Sequence, residues 1–143
     1  MPADRWEDVI AQTIARLLIP MILLYGIYVI FHGHLSPGGG FQGGVILASS
    51  VILYSLVHEL DQATKFFKKK FRVILEPIGP IIFAFIGLLC IFFSGNFIQY
   101  SKLPFLGDKE MAAVSITIIE AGIGVTVMAM VISIFFSLGG RNR

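Results

Sequence analysis

The charged residues of this 143-residue chain are gathered into short segments, and four long apolar stretches almost free of charge lie between them, at about 14–32, 41–58, 76–94 and 112–138. An apolar run of about 18 residues or more with few charges is long enough to cross the hydrocarbon of a bilayer as a helix. Only 14% of residues are charged, against about one quarter in an ordinary soluble domain, and the mean hydropathy is +0.84. The pattern predicts an all-α integral membrane protein: a single membrane domain over 1–143 with four transmembrane helices.

Ahead of the first span, Trp6, Val9, Ile10 and Thr13 fall at i, i+3, i+4 and i+7, one face of a helix. Residues 3–13 are expected to form an amphipathic lead-in at the membrane surface, with Trp6 as its interfacial anchor. Pro20 then falls in the first turns of the span, where a missing N–H is best tolerated. The acidic residues Asp4, Glu7 and Asp8 and the length of the first apolar run argue against a cleavable signal peptide. The single cysteine, Cys90, lies within a span and has no partner in the chain for a disulfide.

An even number of spans puts both ends on one side. Nine of the eleven basic residues share that side: Arg5, Arg16, Lys65, Lys68, Lys69, Lys70, Arg72, Arg141 and Arg143; Lys102 and Lys109 lie on the other. The positive-inside bias therefore predicts cytoplasmic termini and a cytoplasmic 58–72 loop, in a multi-pass protein of the cell membrane. The connections at 32–44 and 94–111 face outward. The third span is read as starting at Glu76-Pro77 with proline at a favoured first-turn position, and no broken helix pair is evident.

The first outward connection reads His32-Gly33-His34-Leu35-Ser36-Pro37-Gly38-Gly39-Gly40-Phe41-Gln42-Gly43-Gly44. Pro37 fixes its own φ and pushes Ser36 out of helix, so the first span stops there. Gly40, Gly44 and Ala48 continue at four-residue spacing into the second span, a pattern that lets helices approach closely in lipid. Pro37, Gly38, Gly39, Gly40, Gly43, Gly44 and Ala48 form a candidate packing motif, expected to meet a partner. Residues 38–43 also satisfy G-x-G-x-x-G, but a dinucleotide site needs a preceding strand and a βαβ unit, and here an apolar helix precedes. No lysine follows in the Walker position. Nucleotide and nucleic acid are not expected partners.

The ionisable candidates are few. Glu120 interrupts an otherwise uncharged run from Met111 to Leu138, and ionisable groups at depth in a membrane are costly and functional by default. It lies 18 residues, or about 27 Å, from Leu138, which puts it in the outer part of the bilayer, with Thr117 one turn away. Glu76, at the start of the third span, reads either as an acid favoured by the helix N-terminus or as part of an ion path. His32 and His34 are either interfacial residues hydrogen-bonding the loop or protonatable groups at the mouth of such a path. Glu120 is expected to meet one of these histidines or a base on a partner. His32 and His34 at i, i+2 diverge, His58 is across the membrane, and no cysteine cluster accompanies them, so neither a metal site nor a cofactor is expected.

The 32–44 segment closely resembles the G-H-x-x-P-G-G-G-F-x-G-G signature of the MnhB/MrpB family, small subunits of Mrp-type multi-subunit Na⁺/H⁺ antiporters, with similar subunits in archaeal membrane-bound hydrogenase and sulfur-reducing complexes. The stretch from Leu103-Pro104-Phe105-Leu106-Gly107 to Glu120-Ala121-Gly122 is similar to the family's second outer loop and following acid-x-Gly helix, with Glu120 where many bacterial members have Asp. The resemblance covers most of the chain. It implies a non-catalytic subunit among other hydrophobic subunits, in a complex that couples Na⁺ and H⁺ movement. The form of the glycine motif and the short chain lean towards the respiratory type. Two other readings stay open from the residues themselves: a small four-helix proton-coupled exchanger acting as a dimer, and a purely structural spacer.

Overall fold

The computed structural model describes residues 3–33, 38–58, 67–93, 95–104 and 107–139. Their regular structure is helical: α1 (Ala3–Phe31), α2 (Gly39–Val57), α3 (Lys69–Leu75), α4 (Ile78–Phe92) and α5 (Asp108–Gly139), with a 3₁₀ turn at Tyr100–Lys102. Val9–Phe31, Gly39–Val57, Lys69–Phe92 and Lys109–Gly139 are long and apolar enough to cross a membrane. The four-helix membrane architecture expected from the charge pattern is therefore present.

Two of its details differ from expectation. The amphipathic lead-in and the first span are one continuous helix, so Pro20 sits in the middle of α1 rather than in a first turn. The ring costs the helix one N–H without ending it. The side chain of Trp6, the expected anchor, lies outside the described residues.

The third span begins at Lys69, about two turns before Glu76, and it is broken. Glu76 closes α3, with its N–H donating to Arg72 O at 3.0 Å, and Pro77 opens α4. Pro77 and Pro80 have no N–H to give, so the carbonyls of Val73 and Glu76 lose their helical donors. A single hydroxyl closes part of the gap. Gly79 N–H donates to Thr126 Oγ1 at 2.8 Å, and Thr126 Oγ1 lies 3.5 Å from Leu75 O. Irregular backbone is tolerated at membrane depth where a neighbouring helix supplies such a partner. The basic loop shortens accordingly, because Lys69, Lys70 and Arg72 are on the helix.

α5 is the hub. The main contacts run from α1 to α2, from α2 to α5 and from α5 to α4, and α5 also touches α3 and α1. α2 and α5 run parallel in matched register, because a Cβ at Gly40 would stand 2.5 Å from Glu120 O and one at Gly44 would stand 2.6 Å from Gly124 O. Further along the same seam, Ala48, Val51, Ile132 and Phe136 form the buried cluster, flanked by Tyr54, Phe67, Met128 and Phe135. The Gly40/Gly44/Ala48 stripe thus faces this chain's own α5, not a surface left open for a neighbour.

Candidate functional site

α1 ends on a small aromatic stack. The His32 ring lies over Tyr28 with centroids 4.0 Å apart, its Nδ1 is 3.0 Å from Tyr28 O, and its backbone N–H donates to the same carbonyl at 3.1 Å. The ring is exposed. His34 and Pro37 lie outside the described residues. The chain re-enters helix through Gly38, whose φ of 89° is left-handed and strained for any side chain, and whose carbonyl accepts from Gln42 N–H at 3.0 Å.

This turn closes on the carboxylate of Glu120. The space that a Cβ at Gly33 would need is taken by Glu120 Oε2, and a Cβ at Gly39 would lie 3.1 Å from the same oxygen. Gly40 presses on the Glu120 backbone one residue further on. Oε2 is shielded from solvent. The glycines make a groove that only bare backbone can line, with the first turn of α2 facing the acid. The N-terminal N–H groups of a helix favour negative charge at that end.

The position of Glu120 along α5 matters for its depth. It lies 12 residues after Asp108 and 19 before Gly139, about 18 Å and 28 Å from the two ends, in a 32-residue helix of about 48 Å. The glycine turn is therefore not level with the 95–107 connection. It stops about 18 Å short of it, measured along α5. Thr117, one turn before Glu120, directs its hydroxyl to Ala113 O at 2.9 Å.

Glu76 belongs to a second polar group. Ser133 Oγ donates to Glu76 Oε1 at 2.7 Å, 13 residues and about 20 Å along α5 from Glu120. Beside it, Arg72 is only 9% exposed. Its guanidinium lies 4.8 Å from the Phe136 ring centroid, Nη1 is 3.5 Å from Ile132 O, and Nε has no hydrogen-bond partner among the described residues. The sequence candidates are thus divided between two places, Glu120 and His32 at the α1–α2 turn and Glu76 at the break in the third span. Thr126, Arg72 and Ser133 were not among them. The signal for Thr126 was present in Pro77-x-Gly79-Pro80, since prolines inside an apolar helix demand a hydroxyl from a neighbour. Among the described residues, no group of three or more His, Cys, Asp or Glu side chains could hold a metal ion.

The chain has relatives among known proteins. A family model described as a domain related to the MnhB subunit of the Na⁺/H⁺ antiporter matches residues 10–133, a stretch containing both the glycine turn and Glu120. The chain is 35% identical over 141 residues to "Putative antiporter subunit mnhB2" of Staphylococcus haemolyticus (strain JCSC1435), covering 94% of this chain and 96% of that one. It is 33% identical to the protein of the same name in Staphylococcus aureus (strain Newman), covering 95% and 98%. With the family model matched over most of its length and relatives aligned nearly end to end, this chain belongs to the MnhB family of Na⁺/H⁺ antiporter subunits.

Proposed function

We propose that this chain is a non-catalytic subunit of an Mrp-type cation/proton antiporter in the cell membrane. It packs among other hydrophobic subunits, with both termini and the connection between α2 and α3 cytoplasmic, and contributes Glu120 to the Na⁺/H⁺ path. The observation that carries this reading is the meeting of the glycine turn with the Glu120 carboxylate, which joins the chain's most distinctive motif to its deepest acid. A carboxylate about 18 Å and 28 Å from the ends of α5 falls inside a hydrocarbon layer of about 30 Å centred on that helix. An acid at that depth needs compensating dipoles or an exchangeable cation. The first turn of α2 supplies the dipole, and a proton or Na⁺ would supply the charge. His32, exposed at the same turn, is a group able to pass a proton to the site. That the relatives are named as antiporter subunits supports the antiporter reading.

The test is Glu120→Gln in the assembled complex. Everted membrane vesicles report Na⁺-driven dissipation of a respiration-generated pH gradient, measured across a pH series. The expected result is loss of exchange or a displaced pH profile with subunit content unchanged. Full activity with an unmoved profile would remove Glu120 from the path.

A further inference from the structure

The Arg72 side chain is not explained by the antiporter site. A guanidinium carries five N–H donors, and burying one without partners is expensive. Arg72 is 9% exposed, yet apart from the field of the Glu76 carboxylate its described contacts are one long bond to Ile132 O and the face of Phe136, and Nε is unbonded among the described residues. It lines a cleft of about 340 Å³ together with Lys69, Val73, Glu76, Ser133, Phe136 and Ser137. The acid in this wall, Glu76, accepts from Ser133 Oγ and offsets part of the Arg72 charge. The two cations outnumber it, and exposed Lys68 and Lys70 stand next to Lys69 in the chain.

The cleft occupies the first 10 Å or so of the third span and a similar depth from the end of α5, the level at which headgroups meet acyl chains. The wall has an apolar side open towards the lipid, where Val73 is 53% exposed. A free anion would have no use for that surface, whereas a lipid tail would.

We propose that this cleft binds the phosphate of an anionic phospholipid, with Arg72 and Lys69 as donors to the phosphate oxygens, Ser137 at the rim, and an acyl chain along Val73. The lipid completes the hydrogen bonding of Arg72 and ties α3 to α5 beside the break at Glu76-Pro77.

The full-length chain, purified in mild detergent, can be titrated with phosphatidylglycerol or phosphatidylcholine and bound lipid counted by native mass spectrometry. Phosphatidylglycerol is expected to be retained preferentially. Lys69→Gln, at the exposed mouth, should weaken that retention about fivefold, the usual contribution of one basic residue near an anionic headgroup. Arg72→Gln should weaken it at least as much; should that variant not fold, Lys69→Gln and the Lys68→Gln/Lys70→Gln pair decide the matter. Equal retention of the two lipids, or an unchanged preference in Lys69→Gln, would overturn the proposal. So would displacement of the lipid by millimolar inorganic phosphate, which would make the cleft a free-anion site. Preference seen in the isolated chain but absent from the assembled antiporter would also overturn it, by assigning Arg72 to an acidic group of a partner subunit.

Discussion

Replacing Gly40 by alanine tests the contact on which the Glu120 site is built. The added Cβ would stand 2.5 Å from Glu120 O, 3.0 Å from its Cα and 3.1 Å from its carbonyl carbon, where ordinary contact begins at 3.4 Å. All three obstacles are backbone, so no rotamer can relieve them. α2 and α5 must part by about 1 Å at this point. That displacement also loosens Gly44 against Gly124 and draws the α2 N-terminus away from the carboxylate. Overpacking of this kind costs about 1–3 kcal/mol, or roughly 5- to 150-fold in the folded population, and in lipid, packing is the main force holding helices together. The control is Gly107→Ala, where the nearest atom is Glu110 Oε2 at 3.6 Å and the expected change is within about 0.5 kcal/mol. Thermal unfolding of the two variants in detergent gives the stability difference, and co-purification from membranes gives assembly. If Gly40→Ala matched Gly107→Ala in both, the close approach of α2 to α5 would not be what these glycines are for.

The break in the third span makes a second prediction: Thr126→Val, which keeps the shape and loses the hydroxyl, should cost about 1–3 kcal/mol by leaving Gly79 N–H unsatisfied. Thr126→Ser should recover most of this in thermal unfolding, and faster hydrogen exchange at Gly79 should accompany the valine variant. At the far connection, burial first and the Cys90 thiol second hold the Tyr100 phenol above its ordinary value of 10.0. The folded state therefore keeps that proton more tightly than the unfolded chain, and the resulting stability is full below pH 10 and lost as pH rises through the folded value. The difference in phenolate absorbance between wild type and Tyr100→Phe should place this tyrosine's titration above 10, and a midpoint at or below 10 would contradict the burial.

What the chain declared in advance was set by period and charge. Four apolar runs separated by charged segments leave few folds in lipid, since backbone groups must be satisfied within each helix. The small-residue stripe at Gly40, Gly44 and Ala48 was equally legible as a close-packing seam, although not which helix it would meet. The choice was expected to fall on a partner and falls on α5, because α2 and α5 run parallel with glycines or backbone facing at each four-residue step. Pairing across a sequence separation of 80 residues leaves no periodic trace in one chain. The third span, expected to start at Glu76-Pro77, starts at Lys69, and the difference has a related reason. Proline at a first turn and proline inside a helix look alike locally, and only the Thr126 hydroxyl, 49 residues further on, decides between them.

The two polar places on α5 also suggest how one long helix can serve a complex. Glu120 meets the end of α1 and the start of α2, whereas Thr126 and Ser133 meet the joint between α3 and α4. Both sets of contacts lie on one helix, within about 20 Å of each other, and one of them is a joint held by few hydrogen bonds. A broken helix with prolines at Pro77 and Pro80 can bend where an unbroken one cannot. Its hinge touches α5 at Gly122 and Thr126, within two turns of Glu120, since a Cβ at Gly79 would stand 2.7 Å from Gly122 O. A shift of α4 would thus reach α5 within two turns of the acid, whose own walls are Gly33, Gly39 and Gly40. The lipid-binding cleft beside Arg72 sits on the other half of the same joint, so a bound headgroup would act on α3 and α5 and not on α4.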